Sequence, residues 1–389
     1  MASKNHIITA VDIGSYKISG AVFEVDFNLT SDKVLNCLSA QMQRTQGLSK
    51  GILTNFSDFE NSILNVLNLL ERESRHNIHS VYISLSGNVF TSYYTNKSIN
   101  LMGSSVTQDC IQRLINEAYT ANKSYEIVHI APVNFKLDDV DNIENPNNMI
   151  GDRLTVSLYV MTAPKTLLNN LRNLFARYDI KIESFVAAPV ATILCQEFQK
   201  PGVILDFGHD STSIVFHKNN TLMFHCEIPL GGNDLIKKIA QELNISFEHA
   251  ERMKSYYGYI SSSEIELNAR NYQNAEHNNL NCVIRRHIQE LVKAIKKQFD
   301  QFDMSLYATI DITGGLCELK GFKEYIEDSL CRKTRILTAQ DGFKISSFTT
   351  CFGLIRYGYY ELYQNSKLKS LSYSRGIWQK IKNWFNEDL

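Results

Sequence analysis

Short apolar runs alternate with longer amphipathic stretches along the first part of the chain. Apolar positions that recur every three to four residues predict helices at 56–70 and 165–178. The short apolar runs predict strands at 7–12, 18–25, 81–85 and 202–205. Strands that alternate with helices in this way predict an α/β fold.

The pattern changes between 86 and 161. Polar strands and one helix follow each other there, and an asparagine-rich turn interrupts them at 142–148. The predicted elements are strands at 91–99, 127–137 and 153–161 and a helix at about 107–121. We therefore predict that 86–161 is an α+β subdomain inserted into the first half.

The second half repeats the arrangement of the first. After the strand at 202–205, a helix is predicted to open at Gly231-Gly232, and a further helix covers 283–299. That helix leads to the apolar strand 310–312. Two similar halves are predicted, with no short-period repeat.

The end of the chain has a different character. A polar, Ser- and Lys-bearing linker is predicted at 363–375. In the helix predicted at 376–389, the large apolar residues fall within an arc of about 120° at 100° per residue. These residues are Ile377, Trp378, Ile381, Trp384 and Phe385, flanked by Lys380 and Lys382. The composition predicts a helix that lies on anionic lipid; the alternative is a helix that packs on its own or another subunit.

Composition narrows the classes of function. The 389 residues have a formal net charge of -1, which gives no overall field to attract nucleic acid. The eight cysteines include no Cys-x-x-Cys pair, so neither zinc nor a disulfide framework is indicated. No run of 18 apolar residues and no signal peptide is visible, and we expect a reducing cytoplasm.

Three strands end in turns that contain glycine. They are Val11-Asp12-Ile13-Gly14-Ser15, Leu205-Asp206-Phe207-Gly208 and Ile310-Asp311-Ile312-Thr313-Gly314-Gly315. Glycine at such a turn lets backbone N–H groups approach phosphate, and an adjacent aspartate can hold Mg²⁺ through water. One such turn is ordinary loop chemistry, whereas the set predicts a nucleotide cleft gripped from both halves.

Two further features fit a ligand in that cleft. Gly314 and Gly315 offer flat backbone against which adenine could pack. Glu251 and Lys254 lie one turn apart on a predicted helix, so both could reach one ligand. The other interpretation of this pair is a solvated i,i+3 ion pair.

These motifs resemble the ATPase superfamily of actin, heat-shock chaperones and sugar kinases and, within it, the FtsA family of bacterial cell-division proteins. The resemblance covers nearly the whole chain. Beyond the first two turns it is carried by Val81-Tyr82-Ile83-Ser84-Leu85-Ser86-Gly87, Pro229-Leu230-Gly231-Gly232, Ala250-Glu251-Arg252-Met253-Lys254, Thr313-Gly314-Gly315 and Phe352-Gly353-Leu354. It implies an actin-like two-lobed ATPase fold with the α+β insertion and a C-terminal amphipathic helix.

The resemblance also implies roles for individual residues, with ATP and Mg²⁺ as cofactors. Asp12 and Asp206 would position water and hold the metal through water. The implied nucleotide-binding residues are Gly14, Ser15, Tyr16, Lys17, Gly208, Gly232, Glu251, Lys254, Gly314 and Gly315.

The second phosphate loop departs from the family pattern of three glycines and a later acid. It reads Gly208-His209-Asp210-Ser211-Thr212-Ser213, so two glycines and the acid are missing. The side chains of His209 and Asp210 narrow the approach to phosphate. The simplest interpretation of His209 is a loop residue with no binding or catalytic role. The departure implies ATP binding with slow or absent hydrolysis.

The helix at 283–299 has an apolar side and a basic side. Arg285, Arg286 and Glu290 lie in the neighbourhood that, by resemblance, meets the C-terminal peptide of the tubulin-like division protein FtsZ. The alternative is a core helix with a solvated basic face.

The resulting expectation is an ATP-binding, actin-like adaptor that anchors the FtsZ ring at the division site, peripherally on the cytoplasmic face of the inner membrane. It would assemble into filaments and recruit later division proteins through 86–161. Alternatives are a small-molecule kinase of the superfamily and an actin-like adaptor of a pilus or secretion system. The expected divisions are 1–85 and 162–200 (first lobe), 86–161 (insertion), 201–245 and 304–344 (second-lobe core), 246–303 (small subdomain), 345–362 (return to the first lobe), 363–375 (linker) and 376–389 (membrane helix).

Overall fold

The computed structural model describes most of the chain. The described residues are 6–25, 35–86, 89–119, 124–218, 220–261, 275–307, 309–337 and 348–367. The linker end and the membrane helix predicted at 376–389 lie outside them. No helix in these ranges is both long and apolar enough to cross a bilayer.

The first half is built on a five-stranded sheet in the order β11-β6-β1-β2-β3. Its strands are β1 (His6–Ile13), β2 (Lys17–Val25), β3 (Leu35–Arg44), β6 (Ser80–Leu85) and β11 (Lys181–Ala187). Strands β4 (Leu48–Ser49) and β5 (Ile52–Leu53) form a separate hairpin. The helices of this half are α1 (Phe56–Ser74), α3 (Lys165–Ala176) and α4 (Ala188–Ile193).

Helix α1 is stabilised by an N-terminal cap and by packing on the sheet. The Asn55 side chain accepts from the backbone N–H groups of Ser57 and Asp58 at 3.1 and 3.3 Å. A side chain at Gly20 of β2 would place its Cβ 2.6 Å from Leu70 Cδ1, so glycine allows the helix to pack closely. The buried face of α1 joins the core of the first sheet.

Residues 91–164 form a second sheet in the order β7-β10-β8-β9. Its elements are β7 (Thr91–Asn100), α2 (Gln108–Asn116), β8 (Tyr125–Leu137), β9 (Val140–Ile143) and β10 (Arg153–Pro164). A separate apolar cluster that includes Ile111, Leu114 and Phe135 holds α2 on this sheet. This core gives the segment between β6 and α3 a compact body of its own.

The second half has a five-stranded sheet in the order β14-β13-β12-β15-β16. The strands are β12 (Gly202–Phe207), β13 (Thr212–Lys218), β14 (Thr221–Ile228), β15 (Thr309–Thr313) and β16 (Thr334–Ile336). The helices are α5 (Gly232–Leu243), α6 (Phe247–Tyr257), α7 (Ala275–Phe299) and α8 (Phe322–Leu330). Strands β12 and β15 are parallel neighbours, as β1 and β6 are in the first half, so one arrangement recurs twice.

The final described helix, α9 (Thr349–Lys367), returns to the first half. Gly353 makes its crossing with α4 possible, because a Cβ there would lie 1.7 Å from the Ala191 carbonyl oxygen. The linker was predicted to begin at 363, but α9 continues to Lys367, and no glycine or proline interrupts the helix beyond Tyr363. Helix α2 ends at Asn116 rather than near 121, and β3 was not predicted.

Candidate functional site in the cleft

A cavity of about 620 Å³ opens where the strand-end turns of the two halves face each other. All twelve residues predicted for the cleft line it: Asp12, Gly14, Ser15, Tyr16, Lys17, Asp206, Gly208, Gly232, Glu251, Lys254, Gly314 and Gly315. They come from five separate chain segments. The fold therefore brings together what the sequence motifs only suggested.

The first turn is a tight hairpin between β1 and β2. Gly14 N–H donates to the Lys17 carbonyl at 3.0 Å, and Thr45 Oγ1 donates to the Gly14 carbonyl at 2.7 Å. A Cβ at Gly14 would lie 3.0 Å from that Lys17 oxygen. The hairpin presents backbone and the side chains of Ser15, Tyr16 and Lys17 to the cavity.

Two carboxyl groups line the floor of the cavity, Asp12 buried and Asp206 partly buried. Burial raises the pKa of Asp12 despite a hydrogen bond from Ser84 Oγ and the nearby Lys17 ammonium. Burial, and then the charges of Glu227 and Asp12, raise the pKa of Asp206 to about 7. Both carboxyl groups therefore favour the neutral form more than a solvated aspartate does, unless a positive charge is brought beside them.

The second turn rests on the N-terminus of α5. Gly232 N–H donates to the Gly208 carbonyl at 3.0 Å, and Asn233 N–H donates to the His209 carbonyl at 2.7 Å. A Cβ at Gly231 would lie 2.4 Å from the His209 carbonyl oxygen, so only glycine fits there. The loop is fixed by backbone contacts although its own sequence contains a single glycine.

The third turn contains one strained position. Gly314 has a φ of 94°, and a Cβ there would lie 2.4 Å from the Phe207 carbonyl oxygen and 2.6 Å from Asp206 Oδ1. Gly315 is open, with no heavy atom within 4 Å of a built Cβ. Gly314 therefore allows close packing of the backbone, whereas Gly315 leaves free space in the cavity.

Side chains of the two halves meet across the mouth of the cavity. The rings of Tyr16 and His209 stack with their centroids 4.4 Å apart. Tyr16 OH donates to Glu251 Oε1, and Arg44 Nη1 lies 3.8 Å from Glu251 Oε2. Both carboxylate oxygens of Glu251 therefore contact side chains of the opposite half. His209 also contacts that half through its ring, which the interpretation of His209 as a loop residue without a role did not predict.

Asp210 extends these cross-cleft contacts. Lys50 N–H donates to Asp210 Oδ2 and the Asn233 amide donates to Oδ1, each at 3.0 Å. Burial alone would raise the pKa of Asp210, but these hydrogen bonds and His209 outweigh it and hold the pKa below the usual value. Asp210 is therefore held as a carboxylate that ties the loop to the first half.

Loss of the Tyr16 hydroxyl is expected to loosen this closure. Tyr16→Phe keeps the ring stack on His209 but removes a charge-assisted hydrogen bond, which contributes about 1 kcal/mol in a partly exposed place. We expect faster amide exchange in 14–17 and 208–211, measured by hydrogen–deuterium exchange mass spectrometry. Tyr256→Phe, at an exposed tyrosine of α6, is the matched control. Equal exchange in all three proteins would show that the contact does not hold the halves together.

The predicted partner surface is made of paired side chains. Arg286 of α7 pairs with Glu242 of α5, and Glu290 pairs with Lys238, so the two helices are bridged twice. The Lys238 hydrogen bond lowers the pKa of Glu290. Arg285 lies half-buried on the same helix. The surface is charged and exposed, but its charges are already partly matched within the chain.

Some relevant residues were not predicted. Arg44, Lys50 and Glu227 line the cavity, and none belongs to the three strand-end turns singled out in the sequence. Within the described residues, no group of three or more His, Cys, Asp and Glu side chains is arranged to hold a metal ion by itself. The residues predicted to bind membrane, 377–385, lie outside the described part.

Comparison with known proteins agrees with these features. A family model described as "Cell division protein FtsA" matches residues 203–353, and one described as "SHS2 domain inserted in FTSA" matches 87–162. The chain is 25% identical to the cell division protein FtsA of Buchnera aphidicola subsp. Baizongia pistaciae, over 99% of each chain.

The fold is also similar to that of several solved structures. A chain of the PilM-PilN type IV pilus biogenesis complex superposes with a TM-score of 0.66 at 16% identity, covering 90% of this chain and 98% of that one. MreB5 of Spiroplasma citri bound to ADP gives 0.51 at 10% identity, covering 93% and 98%. The full-length agreement with division proteins and the matched insertion go beyond this shared fold. The chain belongs to the FtsA family of cell division proteins and has their actin-like fold with an SHS2 insertion.

Proposed function

We propose that this protein binds ATP with Mg²⁺ between its two halves and anchors FtsZ polymers to the cytoplasmic face of the membrane at the division site. The observation that carries the proposal is the cavity that all twelve predicted residues line. A cavity of about 620 Å³ lies within the range typical of small-molecule sites.

The chemistry of the lining fits a nucleotide. Backbone at Gly14 and Gly208 can approach phosphate, while Lys17 and Lys254 supply positive charge. Burial lowers the pKa of both lysines, and bound phosphate would offset that effect. MreB5, similar in fold, is bound to ADP in its structure.

The acidic floor fits a cation that arrives with the nucleotide. Asp12 and Asp206 would hold Mg²⁺ through water, and phosphate oxygens would complete its coordination. The cation would supply charge neutralisation beside the phosphates. The two aspartates would orient its water ligands.

ATP would act mainly as a clamp between the halves. His209 and Asp210 occupy space in the second phosphate loop and are tied to the first half, which favours slow turnover. A ligand that closes the cleft shifts the conformational equilibrium without needing rapid hydrolysis. Closure would favour assembly into actin-like filaments.

Three surfaces would connect the protein to its partners. The compact body between β6 and α3, proposed at 86–161, would serve subunit contacts or later division proteins. The exposed face of α7 with Arg285, Arg286 and Glu290 would receive the FtsZ C-terminal peptide. The helix proposed at 376–389 would follow the linker proposed at 363–375 and bind anionic lipid. Residues 1–85, 162–200 and 345–362 would form the first lobe, and residues 201–344 the second.

The membrane helix is expected to bind reversibly as a single copy. Its five large apolar residues contribute several kcal/mol when partly buried, and each basic residue near anionic lipid adds about 1 kcal/mol. Ordering the helix consumes part of this free energy. Filaments would bind firmly through avidity.

Removal of 377–389 is expected to lower liposome co-sedimentation at least about tenfold, because the apolar and basic residues are lost together. Affinity for a fluorescent ATP analogue should stay unchanged, because the cleft is intact. The variant Trp378→Ala/Trp384→Ala, which keeps all charges, separates apolar from electrostatic binding. Equal sedimentation of the shortened and full chains would contradict the proposed membrane anchoring by 377–389. Absence of nucleotide binding would contradict the proposed closure of the cleft by ATP.

The pilus adaptor remains the second candidate, because a chain of the PilM-PilN complex is similar in fold. The SHS2 match and the full-length agreement with division proteins favour the first proposal. For a small-molecule kinase, no catalytic acid beside a second substrate pocket is evident among the described residues.

A further inference from the structure

Glu227 stands in one row with Asp206 across the second sheet. Asp206 on β12 is the register partner of Ser213 on β13, and Ser213 is the partner of Glu227 on β14. Directly opposed residues project from the same face of a sheet, and neighbouring strands lie about 4.8 Å apart. Glu227 is therefore two strands from Asp206, with only a short serine side chain between them. All three residues line the cavity.

One carboxylate oxygen of Glu227 is left without a protein partner. Oε1 lies 3.1 Å from His225 Nε2, whereas Oε2 is buried and accepts no hydrogen bond from the protein. The side chain is only 12% exposed. A buried carboxylate oxygen without a donor is costly, so this position suits a group that a ligand brings.

His225 holds the carboxylate in place. Its Nε2 also lies 3.0 Å from Ser213 Oγ, and its backbone N–H donates to Tyr159 OH at 3.1 Å. The imidazole is itself buried, so it fixes one oxygen of Glu227 beside Ser213. The other oxygen has no such partner, in a side chain that lines the cavity.

We infer that Glu227 is a third acidic residue at the cation end of the cleft and acts, through water, on the divalent cation of a bound nucleotide together with Asp12 and Asp206. The inference rests on the proposed nucleotide function and deepens it. The second phosphate loop carries serine at 213, and Glu227 supplies a carboxylate from the adjoining strand. Action through water agrees with the absence of a direct three-ligand group in the described residues.

The sign of the charge gives the inference a specific signature. Without a cation, a carboxylate at this place repels phosphate and weakens nucleotide binding. With Mg²⁺ present, the same carboxylate attracts the cation and strengthens binding. Glu227→Gln should therefore raise affinity in EDTA and lower affinity in Mg²⁺. A merely structural residue would shift both affinities in the same direction.

The experiment titrates a fluorescent ATP analogue into the full chain and into Glu227→Gln, once in EDTA and once in excess MgCl₂. The ratio of the dissociation constant in EDTA to that in Mg²⁺ is expected to fall about tenfold in the variant. Glu324→Gln, at an exposed acid of α8 in the same half, changes the net charge equally and should leave the ratio unchanged. Thermal unfolding of each protein checks that it is folded.

A double variant moves the carboxylate from position 227 to position 213 of the same row of residues. Ser213→Asp combined with Glu227→Ser places the carboxylate on β13, directly opposite Asp206. The Mg²⁺ ratio is expected to recover to within about threefold of the parent, since the charge again faces the same end of the cavity.

Each outcome decides between the two proposals. An unchanged ratio in Glu227→Gln, or parallel losses in EDTA and Mg²⁺, overturns the role of Glu227 while nucleotide binding stands. If the full chain binds no nucleotide under either condition, the proposed function fails and the inference falls with it.

Discussion

Gly314→Ala is expected to lower nucleotide affinity by about a hundredfold or more. The added Cβ would lie 2.4 Å from the Phe207 carbonyl oxygen and 2.6 Å from Asp206 Oδ1, and φ is 94° at this residue. Backbone strain and overpacking each cost about 1–3 kcal/mol, and about 2.7 kcal/mol corresponds to a hundredfold. The displaced side chain would be Asp206, which lies at the floor of the cavity. Titration of a fluorescent ATP analogue, together with thermal unfolding, measures both effects.

The adjacent glycine provides the matched control. A Cβ at Gly315 meets no heavy atom within 4 Å, so Gly315→Ala should keep the melting temperature of the parent. Gly315→Leu should also fold normally but should weaken nucleotide binding, because the larger side chain enters the cavity. Parent-like affinity in both Gly314→Ala and Gly315→Leu would show that the ligand does not use this turn.

The cleft residues were predictable because their information is local. Asp12, Asp206 and Gly314 each lie where a buried strand ends. The conformation and chemistry of such a turn depend on a few adjacent residues, which can be recognised in the sequence. Parallel neighbours such as β12 and β15 bring their carboxyl ends to one edge of the sheet. The gathering of these turns around one cavity follows from the recurring α/β arrangement.

The residues that sequence reasoning missed depend on register. Glu227 lies in one row with Asp206 only because β12, β13 and β14 pair Asp206 with Ser213 and Ser213 with Glu227. A slip of one residue would turn Glu227 to the other face. Arg44 ends β3, a strand with mixed burial whose sequence has no clear alternation. No short motif encodes such long-range pairings.

The protein is also expected to lose stability as pH falls, through one buried histidine. His217 on β13 is fully buried, its two ring nitrogens make no hydrogen bond, and its ring packs on Phe198 at a centroid distance of 4.2 Å. Burial, with a smaller effect of Arg335, lowers the pKa of His217 to about 4. The unfolded chain binds this proton near pH 6.5. Between those values the unfolded state holds more protons, so stability present above about pH 6.5 is lost toward pH 4.

His217→Leu removes that dependence, because leucine fills a similar space and cannot bind a proton. The unfolding free energy of the variant, relative to the parent, is expected to rise by about 2 kcal/mol between pH 7 and pH 5. Urea denaturation at a series of pH values measures this difference. His249→Gln, at an exposed histidine of α6, reports the effect of removing an imidazole from the surface. If the difference between His217→Leu and the parent stays constant over this range, proton binding at His217 does not limit the acid stability of the second half.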